Sequence, residues 1–408
     1  MEQLLQEELH GNQATKRATL KAIRDMISRS QISKSQKKEF DRILENSPSS
    51  ELLDIIGSKE VIDAIEGVQA KKYDHIIALK DTHVADFITL DGKKWEMKLD
   101  TFVDSDEKDH QLNGTYISVY HAKQDFLNKV GKMNSYVDRA LELDEGTSNL
   151  ISDIDSISEK QADKKFRYRF IEIPHDTTPY LRAVVDNERY KLYDNTLVLA
   201  LAFLSLHNYC KSNKTMFEVS YLKVTDSKFI LYAYEKTQRK ISNNVYLNVG
   251  IQISNSEISD GSIKFNFTYR VSNGENSFKV ISDPIITAAH GWSTTRINEE
   301  LSKLSTFTNA SNDIINGIKN INLNKKLDDE HLFTIFEKFL HVGRSPLNTV
   351  TRERIVELRE TTANNTISLM ELFSKIDDIS EKAAIDARTY IESQINKLIR
   401  MLIAHSNS

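Results

Sequence analysis

The chain of 408 residues contains a single cysteine, Cys210, and only five prolines. One cysteine excludes an intramolecular disulfide framework and is typical of a reducing compartment. No apolar run reaches the roughly 18 residues that a bilayer-spanning helix needs, and the N-terminus lacks the basic and apolar regions of a signal peptide. We therefore expect a globular cytoplasmic protein with no membrane partner, located in the host cell if a phage encodes it.

Signatures of several enzyme classes are also missing. The motifs Gly-x-x-x-x-Gly-Lys-Ser/Thr and Gly-x-Ser-x-Gly do not occur, so a Walker-type ATPase and an esterase lose their usual support. The eleven histidines show no paired ligand spacing, and we predict neither a metal ion nor a cofactor. His290 and His341 favour structural roles, because no nucleophile is visibly paired with either. A binding protein is favoured over an enzyme.

Charge is spread unevenly along the chain. The whole chain has a formal net charge of −5. The segment from Lys164 to Arg296 carries 18 Lys and Arg against 12 Asp and Glu, a balance of +6, which leaves 36 against 47, or −11, for the remainder. The middle of the chain is therefore the better candidate for binding an anionic partner.

The hydrophobic pattern predicts an α+β fold with a central, mostly antiparallel sheet and packed helices. We divide the chain into a helical N-terminal region (1–70), a small β-hairpin and helix module (71–160), a central α+β domain (161–295) and a C-terminal helical region (296–408). The last region is expected to end in a long helical hairpin, because its final helix has the apolar spacing of a packed seam.

Within the central domain, three elements are predicted from local pattern. These are an apolar helix around Thr196–Leu206, a hairpin over Phe217–Tyr234 that turns near Asp226 and Ser227, and a strand over Val245–Ile253. Each rests on apolar periodicity or on small polar residues at a turn.

The segment Gly261–Gly274 has a clear strand pattern. Every second residue is apolar, namely Ile263, Phe265, Phe267, Tyr269 and Val271. The residues between them are polar or cationic, namely Lys264, Asn266, Thr268 and Arg270. A period of two places the apolar set on a core and the other set on the opposite face. Lys264 and Arg270 are therefore candidate contacts to nucleic-acid phosphates.

A second basic strand opens the central domain. Lys165, Arg167 and Arg169 alternate with aromatic residues over Lys164–Phe170, and we infer that this strand and the strand at 261–274 share one basic sheet. Tyrosines on such a sheet stack on bases, with about 1–3 kcal/mol per base; the candidates are Tyr168, Tyr232, Tyr234 and Tyr246. The alternative is a sheet face that is solvated or covered by helices.

Asp86 followed by Glu96-Met97-Lys98 resembles the Asp…Glu-x-Lys arrangement of metal-dependent nucleases of the restriction-enzyme type. There two carboxylates hold a divalent cation and the lysine positions or activates water. If Asp91-Gly92 is a two-residue hairpin turn, Asp86 pairs with Met97. Glu96 and Lys98 then point to the opposite face from Asp86. This parity argues against the nuclease and favours an ordinary amphipathic hairpin.

Four segments resemble a family of phage and plasmid-like proteins catalogued as domain of unknown function 932. They are Leu181–Asn195, similar to Arg-Ala-x-x-Ser-x-x-Tyr-x-x-x-Asp-Asn, Asn255–Gly261, similar to Asn-Ser-Glu-x-Gly-Asp-Gly, Tyr269–Gly274, similar to Arg-x-x-Cys-x-Asn-Gly, and Ser345–Thr351, similar to Leu-Asn-Ala-Val-Thr. The match covers about residues 166–351, and His290 falls where the family tends to carry a histidine. The resemblance implies a phage or mobile-element setting and supplies no reaction.

These motifs favour specific structural roles. Asp194-Asn195 suits the cap of the following helix. Arg182 and Arg270 are either paired with carboxylates such as Asp194 or Glu257, or presented to phosphate.

The combined expectation is a non-enzymatic protein that binds single-stranded nucleic acid, with DNA favoured, on a basic sheet face. A strand-annealing or recombination role and a homo-oligomer built through the helices follow by analogy of fold outline. The predicted phosphate contacts are Lys165, Arg167, Arg169, Arg182, Lys264 and Arg270. The alternatives are binding of a host or defence protein without nucleic acid, and the metal-dependent nuclease.

Overall fold

The computed structural model describes residues 5–30, 37–38, 40–41, 44, 48–68, 71–90, 94–102, 114–143, 147–174, 176, 178–188, 190–242, 244–258, 262–301, 304, 307–340, 346–363 and 366–406. The chain has an α+β fold with two mostly antiparallel sheets and C-terminal helices, which confirms the predicted fold class. His341 and the predicted turn at Asp91-Gly92 lie outside the described residues.

The strands are β1 (Gln6–His10), β2 (Ile55–Ile56), β3 (Lys71–Ala78), β4 (Thr82–Leu90), β5 (Lys94–Thr101), β6 (Gly114–Ser118), β7 (Lys165–Glu172), β8 (Tyr180–Asp186), β9 (Phe217–Thr225), β10 (Lys228–Glu235), β11 (Arg239–Ser242), β12 (Val245–Ser256), β13 (Ile263–Ser272) and β14 (Ser277–Ala288). The helices are α1 (Leu20–Arg29), α2 (Ser58–Gly67), α3 (Ala122–Gly131), α4 (Asn134–Glu142), α5 (Thr147–Glu159), α6 (Asn195–Asn213), α7 (Thr294–Leu301), α8 (Phe307–Lys319), α9 (Asp329–Leu340), α10 (Thr349–Thr362), α11 (Leu369–Glu381) and α12 (Ile385–Ser406).

An eight-stranded sheet forms the larger half of the molecule. Its strand order is β1-β9-β10-β12-β13-β14, with β11 paired to β12 and β2 paired to β9. One face packs against α6, a helix whose buried residues lie on all its sides. Such a helix belongs inside a core, because no polar stripe is left to face water. α1 and α2 contact α6 and share this core.

A six-stranded sheet forms the smaller half, with the order β3-β7-β8-β6-β5-β4. Phe166, Tyr168 and Phe170 of β7 are buried on the face that packs against α3, α4 and α5. The alternation that we identified in this strand therefore holds, and Lys165, Arg167 and Arg169 occupy the other face, as predicted for a strand of period two.

The inferred pairing of the two basic strands is wrong. β7 belongs to the six-stranded sheet and β13 to the eight-stranded sheet, where it lies between β12 and β14. The cause is that alternation along a strand fixes which residues share a face, whereas the neighbouring strand is chosen by contacts distant in sequence.

Local predictions in the central part are confirmed. β9 and β10 form the expected hairpin around Asp226 and Ser227, α6 contains the predicted apolar helix, and β12 contains the predicted strand. The N-terminal region contains α1 and α2, but it also supplies β1 and β2 to the larger sheet. Among the residues described, none of the helices has the length and hydropathy of a membrane span.

Candidate functional site

The six predicted phosphate contacts lie in separate places. Lys165 is exposed and Arg167 is half-buried on β7. Lys264 is half-buried near one end of β13, and Arg270 is exposed near the other end, about 20 Å away at the rise of a strand. Arg169 and Arg182 are buried, with 2% and 1% of their surface exposed. No single surface therefore contains all six.

The two buried arginines belong to an ionic network between the sheets, which we call the hub (Lys72, Asp74, Arg169, Arg182, Asp194 and Glu257). The Glu257 Oε2 atom accepts from Arg182 Nη1 at 2.7 Å and from Lys72 Nζ at 2.9 Å. Its Oε1 atom accepts from the backbone N–H of Asn195 at 2.7 Å. One carboxylate of the larger half thus binds two cations of the smaller half and the first residue of α6.

Arg169 completes the hub. Its Nε atom lies 3.1 Å from Asp74 Oδ2, its Nη2 atom donates to Asp194 Oδ1 at 3.0 Å, and its Nη1 atom donates to the Glu257 carbonyl. The predicted phosphate contacts at Arg169 and Arg182 do not fit this structure, because both guanidinium groups are buried and neutralised by carboxylates of their own chain. For Arg182, the predicted alternative of pairing with Glu257 describes the structure instead, and Arg169 pairs with Asp74 and Asp194.

The two acids nearest α6 have opposite pKa shifts. Burial alone would raise the pKa of Glu257, but Lys72 and Arg182 outweigh it and hold the pKa well below its usual range. Burial and the neighbouring Glu257 carboxylate raise the pKa of Asp194. Asp194 precedes α6 without a side-chain capping bond, so Glu257, and not the predicted Asp194-Asn195 pair, supplies the carboxylate at this helix start.

A ring stack adjoins the hub. Tyr190 donates to the Glu257 carbonyl at 3.1 Å, and its ring lies parallel to that of His290 at 4.9 Å. Burial and the Arg169 cation lower the pKa of His290 to about 4, so the imidazole is neutral at physiological pH. The structural role of His290 stays a prediction.

The second site is the polar face of the eight-stranded sheet, which is the face opposite α6. Tyr232, Gln252, Asn266 and Thr268 on this face are buried, and Asn266 donates to Gln252 across the strand pair. Tyr234 is also buried there, and Tyr168 is buried in the smaller half. Of the four predicted stacking platforms, Tyr246 is accessible, with 37% of its surface exposed.

Tyr246 belongs to the open end of the polar face, which we define as Lys240, Tyr246, Asn248 and Arg270. Lys240 lies opposite Tyr246 on the neighbouring strand, and Arg270 lies opposite Asn248. Lys240 and Arg270 are exposed, and within the described residues neither has an ion-pair partner. An adjoining groove of about 570 Å³ is lined partly by Asn248 and Arg270.

The part of the polar face around Lys279 and Tyr232 is covered by α11 and α12. Lys279, directly opposite Arg270, binds Glu381 of α11 and lies 3.6 Å from Asp377 of the same helix. Tyr232 donates to Glu392 of α12 at 2.8 Å. The cations and tyrosines that alternation placed on one face are thus divided between an open end and a covered part.

The third site is the hairpin of β4 and β5, where the predicted parity is wrong. The register pairs Asp86 with Lys98 and Ile88 with Glu96, after an irregularity between Val84 and Asp86. Asp86, Glu96 and Lys98 therefore share one face. The two-residue turn that we assumed would have shifted this register by one residue, which reverses the face of every side chain.

The Glu96 carboxylate is enclosed, whereas Asp86 and Lys98 are half-buried. Glu96 is 2% exposed, and its Oε2 atom accepts from the Ser118 hydroxyl at 2.5 Å. Across the described part of the chain, no group of three or more His, Cys, Asp or Glu side chains is placed to hold a metal ion.

Sequence reasoning missed Lys72, Asp74 and Lys279 as members of these sites. Asp74 and Lys72 alternate with Tyr73 and His75 on β3, which is a signal of the same kind that identified Arg167 and Arg169. Lys279 lies in a strand whose polar face becomes apparent once β14 is paired with β13.

Comparisons with protein-family models, with curated proteins and with solved structures found no match to this chain. The resemblance to the phage and plasmid-like family therefore stays a prediction.

Proposed function

We propose that the protein binds single-stranded nucleic acid at the open end of the polar face. The observation that supports this proposal is an exposed tyrosine, Tyr246, with unpaired cations on neighbouring strands. An aromatic ring beside cations is the arrangement that single-strand binding proteins use, because every base has a face to stack and every nucleotide a phosphate to neutralise.

The strand register provides the spacing. Side chains directly opposite each other in an antiparallel pair have Cβ atoms about 4.5–5.5 Å apart, and diagonal neighbours lie about 7–8 Å apart. Lys240 is the opposite neighbour of Tyr246, and Arg270 is its diagonal neighbour across β13. A base on Tyr246 would therefore have a cation on either side within reach of its flanking phosphates.

The proposal also includes the origin of the protein, its assembly and the type of nucleic acid. The family resemblance supports a phage or mobile-element origin, and the helical C-terminal region supports assembly into a homo-oligomer that anneals or protects strands. DNA is favoured over RNA as the ligand.

Removing the two cations tests the binding site. We expect Lys240→Ala with Arg270→Ala to weaken binding of labelled oligothymidine and to reduce the salt slope of log K by about 1.4, since each phosphate contact contributes about 0.7 for single strands. The matched control is Lys160→Ala with Arg354→Ala, two exposed cations elsewhere. Equal affinity and slope for both double variants would contradict the proposal.

Replacing the ring tests stacking separately. We expect Tyr246→Ala to lower the affinity by about 1–3 kcal/mol and Tyr246→Phe to retain it, because stacking uses the ring and not the hydroxyl. Fluorescence anisotropy at one salt concentration measures both. A loss of affinity in the phenylalanine variant equal to that in the alanine variant would exclude stacking at this position.

A metal-dependent nuclease is the second candidate, because the register places Asp86, Glu96 and Lys98 on one face. In that case Asp86 and Glu96 would hold a divalent cation and Lys98 would contact the attacked phosphate. The enclosed Glu96 carboxylate weighs against it. Cleavage of labelled DNA in magnesium or manganese that disappears in Asp86→Asn would support this candidate, and no cleavage by the unaltered chain would remove it.

A further inference from the structure

The interface between the polar face and the C-terminal helices consists largely of ionic and polar contacts. Lys279 is held by Asp377 and Glu381, and Lys228 lies 3.4 Å from Asp386. Two lysines of the sheet are thus bound by carboxylates of α11 and α12. The apolar share is small, since the cluster here contains three isoleucines and three tyrosines, namely Ile230, Ile281, Ile385, Tyr221, Tyr232 and Tyr234.

Charge is complementary across this interface. By alternation and strand register, the described part of the polar face carries six cations, Lys223, Lys228, Lys240, Lys264, Arg270 and Lys279. Three carboxylates accompany them, Glu8, Glu218 and Asp283, which leaves a balance of 6 − 3 = +3. The helices present the carboxylates Glu381, Asp386 and Glu392 and the buried carboxyl group of Asp377, against the cations Arg388 and Arg400. Their balance is 2 − 3 = −1 when Asp377 is protonated and 2 − 4 = −2 when it is ionised.

Between the helices and the sheet, some buried polar atoms have no hydrogen-bond partner. Within the described residues, Gln252 Nε2 and Asp377 Oδ1 are buried without a hydrogen-bond partner, and each such group costs about 1–3 kcal/mol. Arg388 lies over the rings of Tyr221 and Tyr232, at 3.9 Å and 4.6 Å, but its Nη1 and Nη2 atoms are also buried without a hydrogen-bond partner among the described residues. Few apolar contacts and unpaired polar atoms weaken the hold of the helices on the polar face itself, whereas Phe373, Ile391 and Ile395 of the same helices stay buried in the main core cluster.

The open end and the covered part form one continuous surface. Arg270 of the open end is the direct cross-strand neighbour of Lys279 on β14. On the other side of β13 the face continues across β12 to Tyr234, Tyr232 and Lys228 of β10. The covered part therefore repeats the chemistry of the open end, with cations flanking aromatic rings.

We propose that α11 and α12 form a displaceable acidic cover over a nucleic-acid-binding surface. Their carboxylates neutralise the sheet lysines in place of the phosphates of the ligand, so that a long single strand, starting at the open end, competes with the helices for Lys279 and Lys228. The ring contact between Phe278 and Phe373 at 5.2 Å keeps α11 attached at the sheet edge. This inference rests on the proposed function.

A chemical tether tests displacement in the full chain. Arg400 Nη2 donates to Ser282 Oγ at 3.0 Å, which joins α12 to β14. Ser282→Cys with Arg400→Cys can be cross-linked by a bis-maleimide, since Cys210 is 1% exposed and protected from reagent. The same double variant capped with a monofunctional maleimide is the matched control. The probes are a short and a long labelled oligothymidine.

We expect the tether to lower affinity for the long strand at least tenfold relative to the capped control and to leave affinity for the short strand unchanged. Equal affinities of tethered and capped protein for the long strand, with the Arg270 dependence intact, would overturn the cover and leave the proposed function standing. Absence of binding to either probe by the unaltered chain would overturn both.

Charge variants give an independent measurement. Glu381→Gln with Asp386→Asn weakens the hold on both lysines, and both side chains are largely accessible, at 46% and 69% exposed. We expect affinity for the long strand to rise severalfold and amide hydrogen exchange in α12 to accelerate. Asp378→Asn, on an exposed position of α11, is the control. A rise of equal size in the control would show a general charge effect and contradict the cover.

Discussion

The hub and the polar face are both built on strands with cations on one face, and they differ in which residues pack against those cations. In the hub, Lys72, Arg169 and Arg182 meet Asp74, Asp194 and Glu257, so carboxylates of the same chain neutralise these three cations. Arg167 also lies 4.0 Å from Asp74. On the polar face, cations outnumber carboxylates and part of the surface is open. A basic strand is therefore a binding surface only where its own chain leaves the cations unneutralised.

The largest effect should come from breaking the hub. Glu257→Gln removes the charge that faces Arg182 and Lys72, and a buried ion pair that loses one partner costs about 3–5 kcal/mol. We expect that loss in the free energy of unfolding, measured by urea denaturation. Glu172→Gln, which breaks the accessible Lys71 pair, should cost about 0–1 kcal/mol. Equal costs would mean that the hub is not a buried network.

A smaller effect on stability is expected from Asp377, which lies between α11 and the sheet. Burial raises the pKa of Asp377 from its usual 3.8 to about 7. The neighbouring carboxylates Glu392 and Glu381 also raise this pKa, whereas the Lys279 and Arg388 cations lower it. The folded protein therefore binds this proton more tightly than the unfolded chain, and stability falls as the pH rises from about 4 to about 7.

Asp377→Asn should remove that dependence. We expect the variant to gain stability relative to the unaltered chain by on the order of 2 kcal/mol between about pH 5 and about pH 8, since one pKa unit corresponds to about 1.4 kcal/mol. Urea denaturation at several pH values measures the difference. Parallel stability curves for the two proteins would show that Asp377 does not titrate in this range.

The smallest effect concerns a neutral hydrogen bond in the hub. Tyr190→Phe removes the bond to the Glu257 carbonyl and keeps the ring stacked on His290, so we expect a loss of about 1 kcal/mol. Tyr246→Phe, at an exposed position, should leave stability unchanged. A cost for Tyr190→Phe as large as that of Glu257→Gln would mean that charge is not what makes the hub important.

Much of the local structure was predictable. The alternation in β13, the hairpin of β9 and β10, and α6 depend on neighbours in sequence, and the structure confirms them. Of the candidate site residues, Arg270 and Tyr246 lie exposed on the predicted face. The pairing of Arg182 and Arg270 was left open between a carboxylate and a phosphate, because a cation on a strand has the same local pattern whether a carboxylate or solvent faces it.

Two predictions made from the sequence were wrong for the same reason. The pairing of β7 with β13 and the parity of Asp86 and Glu96 both required knowledge of register or strand order. Leu90 pairs with Lys94 and not with Lys93, and this shift of one residue reversed the parity. Such features are set by packing across the sheet, and a shift of one residue leaves the alternation in each strand unaltered.

The sequence by itself determined the class of fold, the faces of the strands and the excess of cations in the middle of the chain, because these depend on side-chain period and composition. The tertiary structure alone decided which cations are neutralised, since that depends on Asp74, Glu257, Asp377 and Glu381 arriving from distant segments. The sequence specifies which residues are charged, but the exposure and ion pairing of those residues are decided when the two sheets and the C-terminal helices pack together.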